Sequence, residues 1–150
     1  MAPKISKHMT TQEILKQLAD QHGSITPELV LDYAKPKDSP LHQFFQWDNT
    51  KAAEEYRLVQ ARQLIRRIKV EYVTEETKTV TVRAFHCVVP TSDDDQPSSR
   101  GIYVPIESAI SDYRSQLLDQ CRRDMEAFKR KYAALSEVAQ VINAMDLIAI

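Results

Sequence analysis

SPLHQFFQWDNTKAAEEYRLVQARQLIRRI, from Ser39 to Ile68, is the stretch that decides the fold. It holds the only tryptophan of the chain and two adjacent phenylalanines, and it contains neither Gly nor Pro from Lys51 to its end. A run of this kind predicts about five turns of helix, capped at its start by Asp48 or Asn49. We expect the apolar side chains of the stretch to form the core that fixes the fold: Leu41, Phe44, Phe45, Trp47, Ala52, Tyr56 and Leu64.

A basic arc stays off the apolar side of this predicted helix when residues are placed at 100° each. Cations on the arc and just beyond it form a candidate nucleic-acid-binding set: Lys51, Arg62, Arg66, Arg67, Lys69 and Arg83. One interpretation sets them against DNA phosphates. The plainer interpretation is a solvated helix face, since arginines near a helix C-terminus suit its dipole without any ligand. Glu55 lies within the arc and counts against binding.

The segment before this stretch predicts two short helices joined by a tight turn. Thr10 or Thr11 is suited to cap the first, which should end at Gly23. Thr26 caps the second and Pro27 suits its first position, so that it runs to about Ala34 with Leu29, Val30 and Tyr33 inward. Helix, glycine turn and helix predict a helix-turn-helix-like unit. Residues 1–9 read as a flexible basic arm.

After the central helix the pattern changes to alternation. Residues 69–73 and 78–89 predict the two strands of a hairpin, turning at 74–77. Residues 90–101 are acidic and rich in Ser and Pro, which is typical of a mobile loop. Residues 102–104 predict a third short strand, and Pro105 is placed to begin a helix.

From about Ile106 to Met145 the pattern is helical, as one helix or two. Apolar residues at spacings of three or four form a candidate oligomer interface: Ile110, Tyr113, Leu117, Met125, Phe128, Tyr132, Leu135 and Ile142. These residues are either core against the hairpin and first helices or a homodimer interface. The apolar tail 147–150 favours assembly, because such an end is normally packed against something.

Taken together, the elements predict an α+β fold, mostly helical, with the helix-turn-helix-like unit first, a central β-hairpin, and a long C-terminal helix or helix pair. At 150 residues the chain predicts a single domain. Its parts are a helical unit (10–68), the hairpin with its mobile loop (69–104) and the C-terminal helices (105–150). A net charge of −1 means that any basic patch is local.

Several function classes find no support in the sequence. Two glycines are too few for the phosphate loops of nucleotide-binding motifs. Cys87 and Cys121 predict two reduced, buried thiols rather than a disulfide. The four histidines lack metal-ligand spacing. We therefore expect no metal, no cofactor and no catalytic residues. No stretch approaches the ~18 apolar residues of a membrane span, which predicts a soluble protein of a reducing cytoplasm.

SPLHQFFQWDNTKAAEEYRLVQARQLI, together with FKRKYAALSEVAQVI near the C-terminus, resembles a family of small uncharacterised proteins encoded by bacteriophages and prophages. The resemblance covers most of the chain. It implies a phage gene, the cytoplasm of a bacterial host, and a non-enzymatic role in DNA transactions, host takeover or particle assembly.

The leading hypothesis is a non-enzymatic phage protein that binds double-stranded DNA, or a DNA-associated complex, as a homo-oligomer. The alternative is a structural or protein-interaction component that assembles on a host or phage protein through the C-terminal helices.

Overall fold

The computed structural model describes residues 9–47, 51–90 and 101–148, and the side chain of Lys51 lies outside this description. Its α-helices are α1 (Thr11–His22), α2 (Pro27–Ala34), α3 (Lys51–Arg67), α4 (Ile106–Asp112), α5 (Arg114–Tyr132) and α6 (Ala139–Asp146). Its strands are β1 (Lys69–Val73), β2 (Thr79–Arg83), β3 (Phe85–Val88) and β4 (Ile102–Pro105). Short 3₁₀ turns lie at His42–Phe44 and Ser136–Val138. The predicted α+β, mostly helical class is confirmed.

The chain divides into two compact units, one up to Ala109 and one from Ile110 onward. Whether they unfold together, as the predicted single domain requires, stays a prediction. The predicted arm falls almost entirely on residues outside the description. So do most of the predicted loop 90–101 and the two candidate caps, Asp48 and Asn49.

Local sequence determines the ends of α1 and α2. The backbone N–H of Glu13 donates to Thr10 Oγ1 (3.3 Å), and the backbone N–H of Thr10 donates to the Glu13 carboxylate (2.7 Å). These reciprocal bonds form a capping box. The bond from the Thr10 backbone is the main cause that lowers the pKa of Glu13. Gly23 ends α1 with φ of 76°, a conformation that favours glycine.

The second helix begins as predicted, with Thr26 Oγ1 accepting from the Leu29 N–H (3.1 Å) and Pro27 in the first turn. The helix-turn-helix-like opening is thus confirmed as a structural element. The predicted inward residues of α2 all contact the core: Val30 is buried, and Leu29 and Tyr33 are half-buried against it. Leu31, which was not in the predicted set, is buried as well.

The core of the first unit joins α1, α2 and α3 to the strands. Its largest fully buried side chains are Ile14, Leu15, Ile25, Val30, Leu41 and Ile65. Burial of such aliphatic side chains is the main stabilising contribution in a domain of this size. The backbone of Ile25, between α1 and α2, exchanges two hydrogen bonds of 2.8 Å with Tyr103 and so ties the helical opening to β4.

The core assigned to the central stretch was correct for Leu41, Phe45 and Leu64 and wrong for Phe44, Ala52 and Tyr56, which are exposed. Trp47 is half-buried against the core. Ala52 and Tyr56 were wrongly assigned to the core because α3 is longer than the helix that packs against it. The helix has 17 residues, whereas its packing partner α2 has 8, so at 1.5 Å per residue only part of α3 is covered. Burial begins at Ala61.

The predicted second strand, 78–89, is two strands that belong to different sheets. β2 pairs with β1, and β3 pairs with β4, each pair being antiparallel. The chain changes sheets at buried Ala84, whose N–H donates to the Ile68 carbonyl and whose carbonyl accepts from the Ile106 N–H, both at 2.9 Å. Pro105 ends β4 rather than beginning a helix.

The second unit consists of α5, the 3₁₀ turn and α6. Helical structure is interrupted at Tyr113 and again between Tyr132 and Ala139, so the predicted C-terminal helical region is three α-helices counting α4. Lys129 on α5 pairs with Glu126 (3.1 Å) and with Asp146 at the end of α6. Among residues 110–148, no side chain is buried.

Candidate nucleic-acid interface

Four of the predicted cations lie where α3 meets the first hairpin. Arg62, Arg66 and Arg67 occupy the last turns of α3, and Arg83 ends β2. Because β1 starts directly after α3 and its register pairs Lys69 with Arg83, the returning strand brings Arg83 back to the helix end. We call Arg62, Arg66, Arg67 and Arg83 the arginine surface. Lys69 is exposed at the start of β1 and lines neither groove described below.

None of these four arginines forms an ion pair with a carboxylate in the described part of the chain, although several cations elsewhere do. The pairs found are Lys35–Asp32 (2.6 Å), Lys78–Glu76 (3.2 Å), Arg122–Asp119 (3.0 Å), Lys129–Glu126 (3.1 Å) and Lys129–Asp146. Among the described residues, the guanidinium groups of the arginine surface are therefore not held in ion pairs, which leaves them able to bind an anion.

Three members of the surface line one side of a groove of about 560 Å³, which we call the Phe44 groove. Its lining residues are Phe44, Gln60, Gln63, Leu64, Arg66, Arg67 and Arg83. None of these described lining residues carries a carboxylate. The groove combines an exposed aromatic ring, two amide side chains and three guanidinium groups, a set able to contact both flat apolar surfaces and phosphate oxygens.

A second groove, of about 690 Å³, lies on the other side of Arg66 and is called the Cys87 groove. Its lining residues are Thr26, Pro27, Glu28, Leu58, Arg62, Arg66, Cys87, Gly101, Ile102 and Tyr103. Here Glu28 supplies a carboxylate beside the two arginines. Since Arg66 lines both grooves, it is the centre of the arginine surface.

The two cysteines were predicted to be buried, and this was wrong, because Cys87 and Cys121 are both exposed free thiols. The sulfur of Cys87 is nevertheless sheltered, since a Cβ placed on Gly101 would lie 2.5 Å from Cys87 Sγ. Burial accordingly raises the pKa of the Cys87 thiol, and the nearby charges of Arg66 and Arg62 oppose that shift. A raised pKa keeps the sulfur as a weakly nucleophilic thiol.

The loop that carries Phe44 is held in place by its neighbours. Trp47 Nε1 donates to the His42 carbonyl (2.9 Å), and the two rings stack 4.6 Å apart. Arg57 of α3 lies over the Trp47 ring at 5.3 Å. Leu41 and Phe45 are buried. Phe44, which lies between them in the chain, is 37% exposed.

A histidine lies beside the arginine surface. His86, on β3, is half-buried; burial first, and then the charge of Arg83, lower its pKa, while a hydrogen bond with the Arg83 backbone raises it. Its Nε2 is buried and has no partner among the described residues.

No group of three or more His, Cys, Asp or Glu side chains in the described parts of the chain is placed to hold a metal ion.

The outer face of α2 differs in charge from the arginine surface. Glu28 is half-buried and Asp32 is exposed, with Asp32 paired to Lys35. In helix-turn-helix proteins the second helix of the motif contacts the DNA. Two carboxylates on that face would meet phosphates unfavourably, so the arginine surface of α3 and β2, rather than α2, is the part of the unit suited to an anionic ligand.

The candidate oligomer residues lie in the second unit, or at its start, and remain accessible. Leu135 is exposed, and the other seven are half-buried: Ile110, Tyr113, Leu117, Met125, Phe128, Tyr132 and Ile142. The rings of Phe128 and Tyr132 contact each other at a tilt of 55°, with their centres 5.0 Å apart. Leu147 of the apolar tail is 86% exposed.

No helix within the described ranges is both long and apolar enough to cross a bilayer.

Neither a protein-family model, nor a curated protein, nor a solved structure matches this chain.

Proposed function

We propose that this protein is a non-enzymatic nucleic-acid-binding protein whose ligand is DNA and whose contact surface is the arginine surface. The single observation that carries the proposal is that Arg62, Arg66, Arg67 and Arg83 cluster without any carboxylate partner in the described chain. Arginine is the side chain best suited to phosphate, because its planar donors match the phosphate oxygens in pairs. The phage origin implied by the sequence resemblance fits such a role and remains part of the proposal.

The favourable effect of a helix dipole explains only part of this cluster. Arg66 and Arg67 lie in the last turn of α3, where a cation is favoured without a ligand. Arg62 lies a turn earlier, and Arg83 lies on a strand, so the dipole accounts for neither. With a net charge of −1 for the whole chain, a local excess of cations is the only route to phosphate affinity.

The test measures binding of a fluorescent DNA, as a duplex and as a single strand, at low salt. We expect binding that Arg62→Gln with Arg66→Gln weakens strongly. The matched control is Arg123→Gln with Arg130→Gln, which removes the same charge from exposed positions of α5. Absence of binding to either form of DNA refutes the proposal, and so does equal weakening by both double variants.

A second candidate function, self-assembly, rests on a different observation. Apolar residues of α5 and the turn after it follow a spacing of three and four, yet none is buried: Leu118, Cys121, Met125, Phe128, Tyr132 and Leu135. This spacing is that of the a and d positions of a coiled coil. We infer that a second copy of the chain covers this apolar row, which makes the protein a homodimer.

The dimer is tested by sedimentation and by oxidative crosslinking through Cys121, which lies in the middle of the row. Residues at one a or d position face their equivalents in a parallel pair, so a Cys121–Cys121 crosslink is expected in that orientation. Met125→Glu should give a monomer. A wild-type chain that sediments as a monomer at micromolar concentration rules the dimer out. If deletion of residues 147–150 weakens the dimer, the apolar tail contributes to it. If the dimer is unchanged, the contact is made without the tail.

A further inference from the structure

We propose that the Phe44 groove binds single-stranded nucleic acid, with one unstacked base on the Phe44 ring and the adjoining phosphates on Arg66, Arg67 and Arg83. This inference rests on the proposed function and names the form of the ligand. The proposal is based on one groove that brings together an exposed aromatic ring, two amides and three arginines, with no carboxylate among its described lining residues.

The exposure of Phe44 needs a reason. Its side chain is 37% exposed, although its neighbours Leu41 and Phe45 are buried in the core. A single exposed aromatic is ordinary on a protein surface. Phe44 differs because its ring lines the same groove as three guanidinium groups. Aromatic rings beside a cationic track are the means by which proteins hold single strands, since every base offers a flat face to stack on.

The remaining lining residues suit the edges of a base. Gln60 Oε1 accepts from the Gln46 backbone N–H (3.3 Å), which fixes the direction of that amide. The side chain of Gln63 is exposed and makes no hydrogen bond with another described residue. An amide offers both donors and an acceptor, so Gln63 is able to contact any base. A volume of about 560 Å³ lies within the range of small-ligand sites and is large enough for a nucleotide.

A duplex uses this groove less well than a single strand does. In a duplex the bases are stacked on one another, so that no base face is presented to a protein ring, and Phe44 gains nothing from it. An element that reads a duplex must also enter a groove of the DNA. The outer face of α3 before the arginines carries exposed Glu54 and Glu55, which repel phosphates. The arginines alone would serve both forms, whereas Phe44 distinguishes them.

The experiment compares three labelled ligands by fluorescence anisotropy at one low salt concentration: an oligothymidylate, a duplex, and an abasic oligomer that has the phosphates but lacks the bases. The full-length variants are Phe44→Ala, Phe44→Trp and Tyr56→Ala. Tyr56 is the matched control, because it is an exposed aromatic of α3 that lines neither groove (49% exposed). Melting curves check that each variant is folded.

We expect Phe44→Ala to weaken oligothymidylate binding by about tenfold, within the range found for losing one base-stacking ring, and to leave duplex and abasic binding unchanged. Phe44→Trp and Tyr56→Ala should retain wild-type affinity. Equal effects of Phe44→Ala on all three ligands, or no effect on any, overturn the inference. If DNA still binds through the arginines in that case, the proposed function stands. If no ligand binds at all, both fail.

Discussion

The proposed DNA binding predicts a salt dependence whose slope gives the number of phosphates that the arginine surface contacts. Each phosphate neutralised on a single strand contributes about 0.7 to the slope of log affinity against log salt, because counterions are released. Four arginines without carboxylate partners therefore predict a slope of about −2.8 per chain. Between 50 and 200 mM salt, a slope of that size corresponds to an affinity loss of about fiftyfold.

Replacing Arg66 and Arg67 by Gln removes two of the four contacts and should halve the slope to about −1.4, so that the same salt change costs only about sevenfold. The ratio of the variant slope to the wild-type slope is the same whether one chain or two bind, since every copy contributes the same arginines. Anisotropy titrations with an oligothymidylate at four or more salt concentrations measure it. The control, Arg123→Gln with Arg130→Gln, should keep the full slope.

Two results refute this reasoning. A slope near zero for the wild type means that the ligand is not held by ionic contacts. A wild-type slope that Arg66→Gln with Arg67→Gln leaves unchanged means that other cations make the contacts. Lys51 and Lys69, the remaining members of the predicted set, would then be the next to replace.

Three further predictions concern stability and are measured by thermal or denaturant unfolding. Thr77 has φ of 61° in the β1–β2 turn, where a β-branched residue is strained, so Thr77→Gly should stabilise the fold by about 1 kcal/mol; a loss of stability would contradict this. Leu15→Ala should cost about 2–5 kcal/mol and Tyr56→Ala much less, because Leu15 is fully buried and Tyr56 is 49% exposed; equal costs would contradict it. Burial and Arg83 lower the pKa of His86, so this residue's stabilising contribution is complete above about pH 6.5 and is lost as the pH falls below it. His86→Gln should reduce that acid loss and the exposed control His22→Gln should not; equal pH profiles would count against this.

The parts of the fold that were predicted correctly are those that local chemistry decides. The capping box of Thr10, the left-handed Gly23 and the Thr26-Pro27 start each involve residues within a few positions of one another. Their hydrogen bonds and backbone conformations depend on residue types that stand close together in the sequence, so the local pattern indicates them. The helix-turn-helix-like opening therefore follows from sequence alone.

The errors arose where distant parts of the chain decide. Alternation continues through residues 78–89, and nothing within it indicates that Ala84 bonds to Ile68 on one side and to Ile106 on the other. Similarly, a helical wheel gives the apolar side of α3 but not how far α2 reaches along it. Tyr56 was assigned to the core for that reason and lies exposed.

In the candidate site, too, the residues that were predicted follow from local sequence, and the residue that was missed depends on tertiary packing. Helical spacing placed Arg62 and Arg66 on one arc with Arg67 just beyond it, and the structure has all three in the last turns of α3. The predicted hairpin brings Arg83 beside them on the returning strand. Phe44 was missed as a site residue because large apolar side chains in a cluster are assigned to the core by default. Only the structure, in which Leu41 and Phe45 are buried and Phe44 lines a groove, separates Phe44 from the core residues near it.

The proposed dimer would strengthen the proposed DNA binding. A surface of four arginines per copy gives a weak single-strand contact on its own, since each contact exchanges one phosphate for its counterions. Pairing through α5 would place two such surfaces on one strand, and a second contact made within the same complex occurs at a high effective concentration. On this reasoning Met125→Glu, which lies far along the sequence from any arginine of the surface, should weaken binding to a long oligothymidylate and leave binding to one spanning a single site unchanged. If both lengths weaken equally, assembly and DNA binding are not linked in this way.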